Sequence, residues 1–260
     1  MNLLLEKRKR ISELVDYQRR LYADSSVEDR FQLIVEESPC SSLSKSEVIR
    51  IFRDSKAILF DTHVAVVSGH HTATYLGFES IARDAPLLSM ISRDMGQWLL
   101  GLSQHHRIDG LLVPASDARF LAEGMATILH PHMPVRVVHA PFNPETGKIG
   151  TEIPEETIRK GDNFVVMNDV TARGNCVNKL GTIVNDHGGH VVGMMVFARR
   201  DSGQFPFMDD LMARYPFYYG TNVLMPQWEI QDCPNCRRGE DFFSWKELPS
   251  DLSARGDDAC

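Results

Sequence analysis

Two polar residues, Asn168 and Asp169, end an apolar run and are followed by a short loop around Gly174 and then a helical pattern. A strand that turns into a helix presents backbone N–H groups at the helix start, where the helix dipole also favours an anion. The amide and the carboxylate at the strand end can bond the hydroxyls of a ribose. The pattern predicts a site for a phosphorylated sugar, although a plain turn with an aspartate cap would give the same pattern.

Residues 164–176 resemble the signature of the type I phosphoribosyltransferases, in which four apolar residues and two acids precede a Thr/Gly-rich loop. Asn168 replaces the first acid, and Arg173 stands where small residues are usual, so it either bonds the phosphate or fills the pocket. The resemblance implies binding of 5-phosphoribosyl-1-diphosphate (PRPP). The residues expected to bind PRPP are Asn168, Asp169, Thr171, Ala172, Arg173, Gly174, Asn175 and Cys176.

Residues 108–129 are similar to the first strand, diphosphate loop and helix of the orotate phosphoribosyltransferases. Asp117 stands where that subgroup often has lysine, and its carboxylate would repel a diphosphate unless Mg²⁺ intervenes or Arg119 turns inward. The alternative is an ordinary strand–turn–helix with Asp117 as a cap. The predicted diphosphate loop is Pro114, Ala115, Ser116, Asp117, Ala118 and Arg119.

Residues 66–80 resemble the hood that closes over the nucleobase in the orotate subgroup. An aromatic ring at Tyr75 or Phe78 could stack on a flat base, and His70 or Thr72 could bond its edge. The alternative is a hairpin with surface histidines. The expected hood residues are Ser68, Gly69, His70, His71, Thr72 and Tyr75.

Residues 137–154 are rich in glycine and proline and lie between two predicted strands. In the family this position holds a mobile lid that brings cations to the departing diphosphate and excludes water. Lys148 and His139 are the candidate cations here. With Asp169 they form the catalytic set that the resemblance implies.

The four matching segments imply Mg²⁺-dependent transfer of a 5-phosphoribosyl group between PRPP and a nitrogenous base, an orotate-like pyrimidine or a related ring, with release of diphosphate. The resemblance also implies a homodimer. The altered loops leave a second interpretation open. In that interpretation the protein is a catalytically altered module that binds PRPP or a nucleotide as a sensor or as a component of a larger complex.

Short apolar runs alternate with helical patterns at residues 87–102, 120–129 and 177–186, which predicts an α/β fold with a mainly parallel twisted sheet flanked by helices. Strands are expected at 57–60, 64–67, 110–113, 135–139, 164–167 and 190–198. Helices are expected at 1–23, at 27–37 and after Ser44. We divide the chain into a helical extension (1–55), a phosphoribosyltransferase-like core with its hood (56–200) and an irregular tail (201–260).

The whole-chain composition narrows the possible partners. A net charge of −7 over 260 residues argues against broad binding of nucleic acid or membrane surfaces, which needs a basic field. No run of apolar residues is long enough for a transmembrane helix. Five unevenly placed cysteines are typical of reduced thiols in a cytoplasm. The first helix carries a basic outer face, which is either solvated or a surface for a protein partner.

Cys233 and Cys236 form a C-x-x-C pair in the tail. Such a pair supplies half of a tetrahedral zinc site, and two more ligands are then needed. Cys260 or a symmetry mate could contribute to a complete site. A tight turn with free thiols is the alternative, and a redox pair is disfavoured because no helical pattern follows directly.

Overall fold

The computed structural model describes residues 2–154, 157–202, 207–249 and 252. The helices are α1 (Asn2–Ala23), α2 (Ser26–Ile34), α3 (Lys45–Ser55), α4 (Glu79–Ala82), α5 (Ala85–Ser103), α6 (Ala118–Leu129), α7 (Asn175–Asp186), α8 (Phe207–Arg214) and α9 (Pro234–Arg237). The strands are β1 (Val35–Glu37), β2 (Ile58–Leu59), β3 (Val64–Ala65), β4 (His71–Thr72), β5 (Tyr75–Leu76), β6 (Gly110–Pro114), β7 (Arg136–Ala140), β8 (Phe142–Asn143), β9 (Lys148–Ile149), β10 (Asn163–Thr171), β11 (His190–Asp201), β12 (Phe217–Leu224), β13 (Gln227–Trp228) and β14 (Phe243–Ser244).

The central sheet has the strand order β1-β12-β11-β10-β6-β7, and every pairing is parallel except that of β1 with β12. Side chains of β10 alternate between the two faces, as strand geometry requires. Val165 and Met167 join the core cluster that α5 and α6 cover, whereas Phe164 and Val166 join the cluster that α7 covers. Both faces are therefore buried, and the prediction of a mainly parallel sheet flanked by helices is confirmed.

The first 55 residues are not a purely helical segment. Residues 35–37, predicted as the end of a helix, form β1, because they pair with the otherwise open edge of β12. Phe31 of α2 and Phe52 of α3 are fully buried in the same core cluster as the central sheet. The helix after Ser44 begins with a capping box between Ser44 and Glu47.

The regular alternation also continues past residue 200, where the sequence predicted that it would stop. β11 extends to Asp201, α8 follows, and β12 pairs in parallel with β11 inside the central sheet. The irregular tail begins only after Leu224 and contains short elements, including two 3-10 turns at Ile230–Asp232 and Trp245–Glu247.

Part of that tail joins the predicted hood in a small sheet. The order of its strands is β13-β4-β3-β14, so two tail strands flank the hood hairpin of β3 and β4. We call this the hood–tail sheet. Two further antiparallel ribbons pair β2 with β5 and β8 with β9. No helix of the described residues is long and apolar enough to cross a membrane.

Candidate active site

A cavity of about 480 Å³ opens beyond the carboxyl ends of β6, β10 and β11. In parallel α/β sheets ligands bind at this edge, because the loops that follow the strands converge there. We call this cavity the crevice. The strand-end and loop residues that line it are Pro114, Ser116, Asp117, Asn168, Asp169, Val170, Thr171, Ala172, Cys176 and Arg200. The hood, the β8–β9 ribbon and the tail supply further walls, with Tyr75, Phe142, Gly147 and Trp245 among them.

Asp169 lies at the end of β10 on the floor of the crevice. Its Oδ1 accepts a hydrogen bond from the backbone N–H of Val170 at 2.7 Å. Burial raises the pKa of Asp169 to about 6, and the negative charge of Asp117 adds to the effect. The preceding residue, Asn168, is buried and donates from Nδ2 to the carbonyl of Val170 at 3.0 Å, which fixes the orientation of its amide.

The loop from β10 to α7 leaves the start of that helix accessible. Gly174 is the N-cap residue, with φ 76°, a left-handed conformation that glycine adopts without strain. It has no side chain to bond the first amides of α7, and the hydroxyl of Thr171 instead accepts from the N–H of Gly174 itself at 3.1 Å. The thiol of Cys176 faces the crevice, and burial raises its pKa.

Arg173 does not fill the crevice. Its guanidinium contacts Nε2 of His70 in the hood, and that nitrogen also lies 2.6 Å from Oε1 of Glu229. Arg173, Gly174 and Asn175 are absent from the crevice lining that the described residues form. The loop is thereby tied to the hood by the Arg173–His70–Glu229 contacts, and the floor beside Asp169 stays open.

The predicted diphosphate loop divides between crevice and core. Pro114, Ser116 and Asp117 line the crevice, whereas Ala118, the first residue of α6, is fully buried in the core. Burial raises the pKa of Asp117, and its side chain makes no cap bond with α6, although the residue occupies the N-cap position. Arg119 lies over the ring of Phe120 at 4.6 Å and does not line the crevice. Ala115 is exposed.

Comparison with known proteins finds relatives among the orotate phosphoribosyltransferases. Orotate phosphoribosyltransferase of Heliobacterium modesticaldum is 25% identical over 200 residues, which cover 76% of this chain and 95% of that protein. That of Caldicellulosiruptor bescii is 27% identical over 197 residues, with 76% and 94% covered. The chain is a relative of the orotate phosphoribosyltransferases. No family model matches it.

The fold agrees with that relationship. The structure of Leishmania donovani UMP synthase superposes with a TM-score of 0.52 at 18% identity, over 69% of this chain. The chain spans only 36% of UMP synthase. The recognition of a type I phosphoribosyltransferase fold of the orotate kind, made from four degenerate segments, is confirmed.

Most of the polar residues of the predicted hood lie outside the crevice lining. Tyr75 lines the crevice, and burial raises its pKa. Thr72 is buried and donates to the carbonyls of Thr74 and Pro226, at 2.8 and 3.0 Å. Ser68 bonds Nδ1 of His70 at 3.1 Å, and Gly69, with φ 83°, forms the turn between them. Of the hood residues predicted to contact a base, the two aromatic candidates Tyr75 and Phe78 line the crevice, and His70 and Thr72 do not.

Arg200 is a crevice residue that the sequence did not reveal. It lies one residue before the end of β11. With the Gln227 side-chain amide oriented so that its oxygen faces Arg200, that oxygen accepts from Nε at 3.1 Å and from Nη2 at 2.6 Å. No carboxylate of the described residues lies within 4.0 Å of it, and burial lowers its pKa. Its position two strands from the diphosphate loop could have been inferred only with the strand order known. Lys56 and Lys246 also line the crevice.

The predicted lid forms the β8–β9 ribbon and packs against the hood. A Cβ on Gly147 would lie 2.9 Å from a methyl of Val67, so the two surfaces are in close contact. Lys148 is exposed and does not line the crevice, although its neighbours Gly147 and Ile149 do. His139 on β7 lies 3.8 Å from the carboxylate of Glu123 and is also outside the crevice lining. In this arrangement the lid contributes only uncharged residues to the crevice lining, such as Phe142 and Ile149.

The cysteine pair of the tail lies outside the crevice lining, beside two histidines of the hood. Cys233 and Cys236 approach His63 and His71, and the ligand atoms of the four residues all lie within 4.8 Å of one another. Cys260, named from the sequence as a further ligand, lies outside the described residues. From the sequence, His63 was not predicted as a functional residue, and His71 was predicted to belong to the base-binding hood. The signal for both was their position on the two arms of one hairpin.

Proposed function

We propose that the protein transfers a 5-phosphoribosyl group between PRPP and a nitrogenous base, with Mg²⁺-dependent release of diphosphate. The observation that carries the proposal is the crevice itself. One cavity is lined by the strand-end acid Asp169, by Ala172 and Cys176 on either side of the turn into α7, by the segment after β6 and by the aromatic hood residue Tyr75. These are the positions that a sugar, its two phosphate groups and a flat base would require.

Each part of the substrate has a matching group. The carboxylate of Asp169 would accept hydrogen bonds from the ribose hydroxyls, and the first amides of α7 would bind the 5-phosphate. The segment from Pro114 to Asp117 would contact the diphosphate, and Tyr75 would stack on the base. As positive charge develops at the anomeric carbon, these groups hold the reactants in position and the hood excludes water.

The crevice also fits a hard cation. Asp117 and Asp169 both line it. The negative charge of Asp117 contributes to the raised pKa of Asp169, so the two carboxylates interact electrostatically. With the carbonyl oxygen of Asn168 they form an oxygen-only donor set of the kind Mg²⁺ prefers. When bound, Mg²⁺ supplies neutralisation of the diphosphate charge. The acid at Asp117 then attracts the metal complex of the substrate, which resolves the repulsion expected for diphosphate alone.

The position of Arg200 in the crevice indicates which class of base the site would prefer. A partly buried guanidinium without a carboxylate partner among the described residues carries a desolvation cost, and a carboxylate on the ligand would offset that cost. Orotate carries such a group on a flat pyrimidine ring, whereas uracil lacks it. We therefore expect orotate-like pyrimidines to be preferred over bases without a carboxylate.

The test is diphosphate release from PRPP and Mg²⁺ with orotate, uracil, adenine and hypoxanthine as acceptors. Orotate should give the highest kcat/KM. The Arg200→Gln variant should lower kcat/KM for orotate by about 10–100-fold, the range expected when one partner of a charge-assisted pair is removed. Arg214→Gln, which changes an exposed arginine on α8, is the control and should leave the rate unchanged.

A second candidate is a PRPP- or nucleotide-binding module without turnover. The contacts of Arg173 with the hood favour it, because they tie the phosphate loop to residues that would otherwise be free to move with the ligand. The exposed positions of Lys148 and His139 favour it as well. PRPP binding by calorimetry without diphosphate release from any acceptor would support this candidate and contradict the transferase.

Three further expectations belong to this proposal. A homodimer should appear in sedimentation experiments, and a protein partner would be sought with the basic face of α1. Zinc, the second cation expected from the sequence, belongs to Cys233 and Cys236 and not to the crevice-lining residues.

A further inference from the structure

The four residues His63, His71, Cys233 and Cys236 come from two distant parts of the chain. Sγ of Cys233 lies 3.4 Å from Nε2 of His63, a residue 170 positions away in sequence. Sγ of Cys236 lies 3.5 Å from the same nitrogen and 3.2 Å from Nδ1 of His71. The two imidazole nitrogens are 2.7 Å apart. Two thiols and two imidazole nitrogens therefore point at one another across a shared space.

The hairpin explains why the histidines meet. Ala65 on β3 pairs with His71 on β4 in antiparallel register. His63 precedes Ala65 by two residues, so it projects from the same face of the hairpin and is the diagonal neighbour of His71. The tail closes the other side, since Cys233 and Cys236 bracket the first turn of α9, and residues three apart on a helical turn share a side.

One histidine is already oriented as a ligand. Nδ1 of His63 lies 3.1 Å from the backbone carbonyl of Glu240. A carbonyl can only accept, so Nδ1 carries the proton, and in a neutral ring Nε2 then presents its lone pair to the cysteines. Metal-binding histidines commonly have such a carbonyl partner on the second nitrogen. The Asn235 side chain donates to the carbonyl of Thr62 at 3.4 Å, which ties the cysteine turn to the start of the hairpin.

We propose that His63, His71, Cys233 and Cys236 bind one Zn²⁺ ion that fastens the tail to the hood. Donor atoms of a tetrahedral zinc site, with Zn–N near 2.0 Å and Zn–S near 2.3 Å, are about 3.3–3.8 Å apart. The three sulfur–nitrogen distances of 3.2, 3.4 and 3.5 Å fall close to this range, and the nitrogen–nitrogen distance of 2.7 Å is shorter. The set is full with four protein ligands, so the site is structural and leaves no position for a substrate.

A single ion fits better than the other uses of such residues. A two-iron sulfur cluster with two cysteines and two histidines needs its ligand pairs on separate irons, whereas all four ligand atoms here lie within 4.8 Å. A redox disulfide would not explain two histidines facing the same pair of sulfurs. The ion would lie where the hood hairpin meets the segment that connects β13 to β14, so it would hold the hood–tail sheet together.

This proposal does not depend on the transferase reaction, and its readouts are metal content and local order. The full chain is purified without chelator, and zinc is counted by mass spectrometry. We expect about one Zn²⁺ per chain in the parent protein, and loss of it in Cys233→Ser and His63→Gln. Cys40→Ser and Cys176→Ser, which change thiols outside the cluster, are the controls and should retain it.

A second measurement uses the parent chain and so does not rely on a variant folding. Zinc is removed with a chelator and replaced by Co²⁺. We expect the strong visible absorption of tetrahedral Co²⁺ with thiolate charge-transfer bands. Hydrogen exchange should rise in residues 63–76 and 227–244 on metal removal and stay unchanged in β6, β10 and β11.

Several outcomes would overturn the proposal. These are a chain that neither carries zinc nor takes up Co²⁺ after reduction, an octahedral cobalt spectrum, the colour of an iron–sulfur cluster, or a Cys233–Cys236 disulfide in the protein as isolated. Loss of zinc from Cys176→Ser but not from Cys233→Ser would place the ion elsewhere and would contradict it too.

Discussion

The crevice and the hood–tail sheet are both rich in polar side chains, but they use them in opposite ways. In the crevice, Asp169 and Asp117 face open space, and burial raises the pKa of both carboxyls. In the hood–tail sheet the polar groups bond one another. Thr72 bonds two carbonyls, and His63 bonds the carbonyl of Glu240. The crevice has carboxylates that a ligand can bond, whereas the hood–tail sheet bonds Thr72 and His63 within the protein and leaves the two thiols and two imidazoles of the proposed zinc site for a metal ion.

The difference separates residues that bind from residues that hold the binding surface in place. Buried polar groups without partners are costly, and they persist where function requires them. Residues that support the binding surface cannot be told from ligand-binding residues by sequence, since both occur in short polar loops next to strands. Mutations that distinguish a loss of chemistry from a loss of stability therefore test the comparison directly.

The largest effect is expected for Asp169→Asn. The substitution keeps the shape of the side chain and removes the charge that would hold the ribose and Mg²⁺. Diphosphate release should fall by about 100-fold, the size typical of removing one preorganised electrostatic contact. Asp186→Asn, which changes an exposed acid at the end of α7, is the matched control and should retain full activity. Equal rates in the two variants would remove Asp169 from the reaction.

The two hood residues Tyr75 and Thr72 should separate binding from stability. Tyr75→Ala removes a ring from the crevice and should raise the KM for the base by roughly 5–150-fold, since stacking on an aromatic ring contributes about 1–3 kcal/mol. Thr72→Val leaves the carbonyls of Thr74 and Pro226 without their donor and should lower the free energy of unfolding by about 1–3 kcal/mol. Its KM should stay within about twofold of the parent value. Both variants are measured by steady-state kinetics and by urea unfolding. A KM increase in Thr72→Val but not in Tyr75→Ala would contradict the assignment of Tyr75 to base binding and of Thr72 to stability.

The raised pKa of Asp169 gives a pH dependence to the stability of the ligand-free protein. The carboxyl titrates near 3.9 in an unfolded chain and near 6 in the fold, so the folded state holds this proton more tightly. The group therefore destabilises the fold as the pH rises from about 4 to above 6, by on the order of 2–3 kcal/mol. Asp169→Asn should be more stable than the parent at pH 7.5, and the difference should shrink to about one third of that value at pH 4.5 in urea unfolding. A stability difference that is the same at both pH values would contradict the assignment.

The smallest effects are expected for Lys148→Ala and His139→Ala. Both side chains lie outside the crevice lining, so diphosphate release should change by less than about twofold. Lys246, which does line the crevice, is the comparison, and Lys246→Ala should have the larger effect. A large loss in Lys148→Ala would instead show that the β8–β9 ribbon moves over the substrate during the reaction, as the family resemblance first suggested.

The main architecture could be predicted because buried parallel strands have a distinctive sequence. The runs at 110–113 and 164–167 are apolar throughout, since both faces of the sheet are covered, and the polar residues that follow them mark the ligand edge. Ile34 and Val35 show the limit of this reasoning. Nothing in the local pattern reveals that a helix should end there, because β1 forms only when the distant strand β12 offers an edge.

The sequence by itself determined four strands of the central sheet, the loops at their carboxyl ends and the acid Asp169, because these follow from local runs of apolar and polar residues. Only the tertiary structure decided which hood side chains face the ligand, because neighbouring residues of a strand point in opposite directions and the register selects between them. Tertiary structure alone also brought Arg200 to the crevice and placed His63 beside Cys233. These long-range contacts depend on strand order and packing, and the local sequence pattern does not predict them.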